Sequence, residues 1–280
     1  MANKLPKFYG KPMIEIPAIV PVANFLEGDF GKEFLKEYKG RVEKDYNDSD
    51  SLNVLKYDNG IVKGSNHFAV VLANAILSQE GLRTANQADL EKILRAKTLT
   101  LNGQYEDSGL CLRSESSPNE YLAKQLMTQL KARGKVKLPV ILNLNDLELI
   151  KDSNSNYGLA FKLKKDAKSI YAPQLDNKNN QRKFSQTDEN GLPIFNKDGS
   201  RTLYTANSGL SRVYLDGGLD LGTGCDCLAY SYEDGRVVVV SAEGTSQGLD
   251  KYISKLQQEK AKADAEIERK FQAALKLLKN

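Results

Sequence analysis

Apolar residues in this chain recur in two rhythms, one of three to four residues and one of two, and the change between them comes near residue 135. Before it, helical spacing dominates. Phe30, Phe34, Leu35 and Tyr38 share one helical face, with Gly40 placed to end a short helix. Phe68, Val71, Leu72 and Ile76 predict a helix over 66–79, capped by Ser65 and stopped by Gly81. Thr84 and Gln87 have the spacing of a capping box ahead of a third helix whose apolar face is Leu90, Ile93 and Leu94. The sharpest start signal is Ser117-Pro118-Asn119-Glu120. A Ser cap, a Pro at the first helical position and a Glu able to reach back predict a helix from 118 to about 133. Asp58-Asn59-Gly60 predicts a hairpin turn, because Asn and Gly tolerate the positive φ of a tight bend. The prolines within 11–22 suggest an extended edge segment.

After residue 135, alternation and β-branched residues predict strands over 138–144, 157–164, 169–172, 201–205, 210–215, 228–232 and 236–242. Lys197-Asp198-Gly199 and Glu233-Asp234-Gly235 suit hairpin turns, and the polar stretch 176–190 reads as an exposed, mobile loop. From Leu249 onward there is no Gly or Pro, and an imperfect stripe including Leu256, Ile267, Phe271 and Leu278 predicts a long amphipathic helix. The fold class expected is therefore α+β. A mixed α/β region covers 1–135, an antiparallel β-rich sheet or partial barrel covers 136–247, and an amphipathic helix covers 248–280, either as separate regions or as one continuous domain.

With 40% apolar and 27% charged residues, the composition is that of a globular protein rather than a disordered or fibrous one. No apolar run approaches the roughly 18 residues needed to cross a bilayer, and the first residues lack a secretory apolar core. A soluble, cytoplasmic protein without a membrane partner is expected.

Charge adds the main functional hint. Between Lys124 and Lys183 there are 13 Lys or Arg against five Asp or Glu, although the whole chain carries only +4. Such asymmetry attracts acidic partners. The leading expectation is a binding or interaction protein that contacts nucleic acid or an acidic protein through Lys162, Lys164, Lys165, Lys168, Lys178, Arg182 and Lys183. Tyr157, Phe161, Tyr171 and Phe184 interleave with these cations, as in single-strand binding. The C-terminal helix would serve docking or self-association into a homo-oligomer.

The alternative is a metal- or nucleotide-dependent enzyme built around 216–226. Asp216, Asp220 and Asp226 lie in one glycine-rich segment and could converge on a hard cation, though not at EF-hand spacing. The run Leu219-Asp220-Leu221-Gly222-Thr223-Gly224, with Cys227-Leu228-Ala229-Tyr230 and Ala242-Glu243-Gly244-Thr245 after it, resembles the first phosphate loop of the actin and heat-shock chaperone ATPases. The resemblance is confined to 219–245. It implies Asp220 near a nucleotide's metal and Gly222 and Thr223 on phosphate. No glycine-rich second phosphate loop accompanies it, and a bend between two strands accounts for the same residues.

Two smaller constellations complete the list. Cys111, Cys225 and Cys227 offer three thiols where tetrahedral zinc takes four ligands, so they read as small core residues. His67, the one histidine, stands two residues from Ser65. That pair reads either as nucleophile and base or, more simply, as the packing of a helix start.

Overall fold

The structure is a computed structural model that describes residues 23–101, 105–241, 260–262 and 264–272, together with the backbone of two short strands before them. The helical rhythm becomes α1 (Gly28–Tyr46), α2 (His67–Leu77), α3 (Gln87–Ala96) and α4 (Glu120–Lys131). Strands of the first half are β1 (Lys7–Phe8), β2 (Lys11–Pro12), β3 (Ala23–Phe25), β4 (Lys56–Asp58), β5 (Ile61–Lys63), β6 (Leu82–Thr84) and β7 (Glu106–Leu112). Those of the middle are β8 (Val140–Asn143), β9 (Leu147–Lys151), β10 (Leu159–Leu163), β11 (Ser169–Tyr171) and β12 (Lys183–Thr187). The last are β13 (Pro193–Phe195), β14 (Arg201–Thr205), β15 (Leu210–Leu215), β16 (Leu221–Thr223) and β17 (Val238–Ser241).

Helix boundaries follow burial and capping: Gly40 does not end α1, whereas Gly81, left-handed at φ 69°, ends the 3-10 turn Ser78–Glu80 that continues α2. α1 runs through Gly40, because its buried face continues to Val42, and it stops at Asn47 in the left-handed conformation. A lone Gly in an exposed helical position costs only about 1 kcal/mol. Asn66, not Ser65, caps α2: its side chain accepts from the Ala69 amide at 2.8 Å and donates to the Ser51 and Ala229 carbonyls. α3 carries a reciprocal box between Asn86 and Asp89, while Thr84 ends β6 with its side chain on Asn74. α4 starts at Glu120, two residues later than expected, and Ser117 does not cap it. The residue ahead is Asn119, left-handed at φ 57°, whose amide is drawn to the Leu210 and Asp226 carbonyls.

Eight strands form one curled sheet in the order β11-β8-β7-β15-β16-β14-β12-β13, antiparallel except for β14 beside β16. Ile170 of β11 and Phe195 of β13, from its two edge strands, pack against the same core with Phe184, Leu203, Val213 and Leu221. The sheet therefore wraps around this core as a partial barrel. Alternate residues of β7 face opposite sides: Cys111 enters the barrel core, whereas Leu110 and Leu112 enter a larger core with α1, α2, α4 and the separate hairpin β9–β10. A third cluster joins α3 to the small sheet β3-β17-β6 through Leu90, Ile93, Val238 and Val240. The boundary expected at 135/136 thus falls between α4 and β8, while β7, from before it, lies in the middle of the large sheet.

Several local expectations are corrected. The stretch 176–190 is not a free loop, since it contains β12 and buries Asn179, Phe184 and Thr187. Residues 228–232 form no strand, because Tyr230 and Tyr232 turn to other aromatic rings rather than to a ladder. Lys197-Asp198-Gly199 closes no hairpin, since β12 lies between β13 and β14. Glu233-Asp234-Gly235 is a turn leading into β17, closed by the Gly235 amide on the Tyr232 carbonyl. The turn at Asn59-Gly60 does join β4 to β5, both residues having positive φ.

Of the extended segment expected over 11–22, Lys11–Pro12 pairs with Lys7–Phe8, and the rest lies outside the described residues. The long helix expected over 248–280 is helical at 260–262 and 264–272, with Ile267 and Phe271 exposed, and the remainder lies outside the described residues. No helix among the described residues is long and apolar enough to cross a membrane.

Candidate functional site

The cations named from sequence divide into two groups over different cores. Lys162 lies in β10, which packs on α4, and Lys164, Lys165 and Lys168 follow it, whereas Lys178, Arg182 and Lys183 precede or begin β12 on the partial barrel. In the first group, Gln129 of α4 brackets β10 by donating to the Phe161 carbonyl and accepting from the Leu163 amide. One turn later Arg133 donates to the carbonyls of Leu163, Lys164, Lys165 and Ala167 at 2.7 to 3.4 Å. A helix C-terminus favours positive charge. Arg133 thus fixes the β10–β11 turn so that Lys165 and Lys168 stand exposed beside it, with Lys164 bonded to the Asn145 carbonyl. Asp166 is the one carboxylate of that turn. Lys162 is paired with Glu148, its cross-strand neighbour, at 3.2 Å.

The second group is tied into the barrel. Arg182 stacks over Phe195 at 4.0 Å and donates to Asn179, and Lys183 donates to the Thr202 hydroxyl. Lys178 is exposed. The aromatic residues divide as well. Phe161 is buried in a stack on Phe68 and Phe184 is buried beneath Arg201, so neither ring can meet a base. Tyr171 on edge strand β11 is 50% exposed and lies three residues beyond Lys168. Tyr157 is half-buried, its hydroxyl donating to Asn119.

The Asp/Gly segment is occupied by the fold. Thr223 is fully buried, its hydroxyl accepting from Arg113 at 2.7 Å and donating to the Tyr204 carbonyl at 2.9 Å. Asp220 accepts from the Thr202 amide and Asp216 from the Gly217 amide, both at 2.5 Å, and Asp226 is exposed beside Cys227. Among the described residues no three His, Cys, Asp or Glu side chains are placed to hold a metal. Cys111 lies in the barrel core, Cys225 is half-buried and Cys227 is exposed.

Ser65 and His67 do meet, through a residue that hydropathy left hidden. Asp107 of β7 accepts from the Ser65 hydroxyl at 3.1 Å and from Arg212 of β15 at 2.7 Å. His67 Nε2 lies 2.6 Å from the Gly109 carbonyl, which can only accept, so Nε2 carries the proton and Nδ1 presents a lone pair. Burial lowers the His67 pKa to about 4, so its 3.3 Å approach to Asp107 is no ion pair at neutral pH. Ser65 has no bond to the imidazole, and all four side chains are buried. The arrangement anchors α2 to the sheet and does not activate a nucleophile.

Arg212 of this network also supports four tyrosines. Its guanidinium lies 5.2 Å from the Tyr214 ring and 5.4 Å from the Tyr232 ring. Tyr105 stacks on Tyr232 at 3.6 Å, and Tyr230, 56% exposed, meets Tyr232 edge-on. The cation that such rings attract is supplied from within the fold.

Compared with known proteins, the chain matches no family model, no curated protein and no solved structure.

Proposed function

We propose that the chain is a binding protein for a polyanion, with nucleic acid as the case to test, and that contact is made at the C-terminal end of α4 and the β10–β11 turn. One observation carries the reading: Arg133 holds that turn by four backbone carbonyls, so Lys165 and Lys168 are presented on a fixed support against the single carboxylate of Asp166. Exposed cations on a fixed backbone neutralise phosphates without a large loss of chain freedom. Tyr171 is the exposed ring nearest in sequence and would stack on an unpaired base. Lys178, Arg182 and Lys183 form a secondary patch in this reading.

Fluorescence anisotropy with labelled single-stranded and duplex oligonucleotides, read as a function of salt, tests it. Log affinity should fall linearly with log salt, and the double change Lys165→Glu with Lys168→Glu should lower the slope by about 1.5 to 2. Binding without salt dependence, or a slope unchanged in that variant, would reject the proposal.

A further inference from the structure

A cleft of about 390 Å³ opens at the end of the small sheet, beside the β4–β5 turn. It is lined by Phe25 of β3, Glu27 at the head of α1, Ile61 of β5, Leu99 and Thr100 beyond α3, and Arg236 ahead of β17. The Arg236 guanidinium lies over the Phe25 ring at 5.0 Å and has no hydrogen bond or ion pair with any described residue. Its Nε is buried with no acceptor among the described residues. Buried donors in folded proteins nearly always find a partner, so one left without marks a place where an acceptor belongs. Glu27 precedes α1 without its side chain capping the helix, and it makes no ion pair among the described residues. One cation and one anion thus line the same cleft, unpaired with each other, above apolar walls.

We infer that this cleft binds a small zwitterion with an apolar body, an α-amino acid with an apolar side chain being the simplest member of that class. The carboxylate would lie on Arg236, whose planar fork matches it, and the ammonium on Glu27. The side chain would cover Phe25, Ile61 and Leu99. The volume suits a small molecule. The charge pattern selects within that class: Glu27 opposes a phosphate or dicarboxylate, and Arg236 opposes a simple amine.

Isothermal titration and thermal melting of the full chain with leucine and with phenylalanine test the inference, alongside 4-methylpentanoate and 3-methylbutylamine, which keep only one charge. The amino acids should bind and raise Tm with concentration, by mass action on the folded state. Each single-charge analogue should bind about tenfold or more weakly, and Arg236→Gln and Glu27→Gln should each weaken leucine by a similar factor. Amide shifts of Ile61, Leu99 and Thr100 in the unaltered protein supply a readout that does not depend on a variant folding. No binding of either amino acid, equal binding of 4-methylpentanoate, or shifts confined to other residues would overturn the assignment.

Discussion

Arg212 and Asp107 face each other from β15 and β7, with Nη2 2.7 Å from Oδ1 and both side chains wholly withdrawn from solvent. The pair lies at the centre of the curled sheet, where each charge is tolerated because the other is present. Removing one partner leaves a buried charge uncompensated, which costs far more than the pair itself contributes. Asp107→Asn should therefore destabilise by about 3 kcal/mol or more. Joint replacement by Arg212→Met and Asp107→Leu should recover most of that loss. Urea unfolding midpoints at constant m decide the matter, and a cost for Asp107→Asn near zero would show that the pair is dispensable.

The buried imidazole sets an acid limit. His67 is held at a pKa of about 4 by burial, with the Asp107 charge only partly opposing the effect. Unfolded, it would titrate near 6.5. Between those values the unfolded chain binds the additional proton, so stability is complete above pH 6.5 and falls as the pH is lowered toward 4. The loss amounts to about 3 kcal/mol over that window. Denaturant melts at successive pH values should show the decline, and His67→Gln should flatten it. An equal slope in the variant would assign acid sensitivity elsewhere.

Neighbouring polar residues at the head of α2 should differ in weight. Asn66 caps the helix and also donates to two carbonyls, whereas Ser65 makes one bond to Asp107. Asn66→Ala should cost about 2 to 3 kcal/mol and Ser65→Ala about 1. Chemical denaturation of the two variants side by side checks the order, and the reverse order would return the cap to Ser65.

Gly40 offers a gain. It lies within α1 on an exposed face, and a methyl group added there meets nothing within 4 Å. Gly40→Ala should stabilise by about 0.5 to 1 kcal/mol, chiefly by restricting the unfolded chain. A rise in Tm is the expected readout, and a fall would show that the helix needs flexibility at that point.

How far the sequence could be read depended on which residues carried the fold. α2, the β4–β5 turn, β14 and β15 were legible, because their apolar spacing or turn chemistry is local. β7 was not, although all seven of its residues are buried. Its first half reads Glu-Asp-Ser-Gly, and those polar groups are satisfied by partners as distant as Arg212 and Gln87. β12 was hidden likewise, since Phe184 is its only large apolar residue and the Asn and Lys around it read as loop. At the candidate sites, the lysine excess was visible but its division was not, because β10 and β12 join different packing units. Arg133 and Arg236 carried no local signal at all, as their roles come from carbonyls and an aromatic ring brought close by the fold.

The central position of β7 bears on how the chain is made. Its neighbour β8 follows soon after synthesis, but its other neighbour, β15, brings Arg212 from 105 residues beyond Asp107. A nascent chain that has not yet reached Leu210 therefore displays one flank of β7 unzipped, with an aspartate awaiting its counter-charge. Such an edge invites pairing with a second ribosome's product. Expression at lower temperature, or with a holdase present, should raise the yield of folded product.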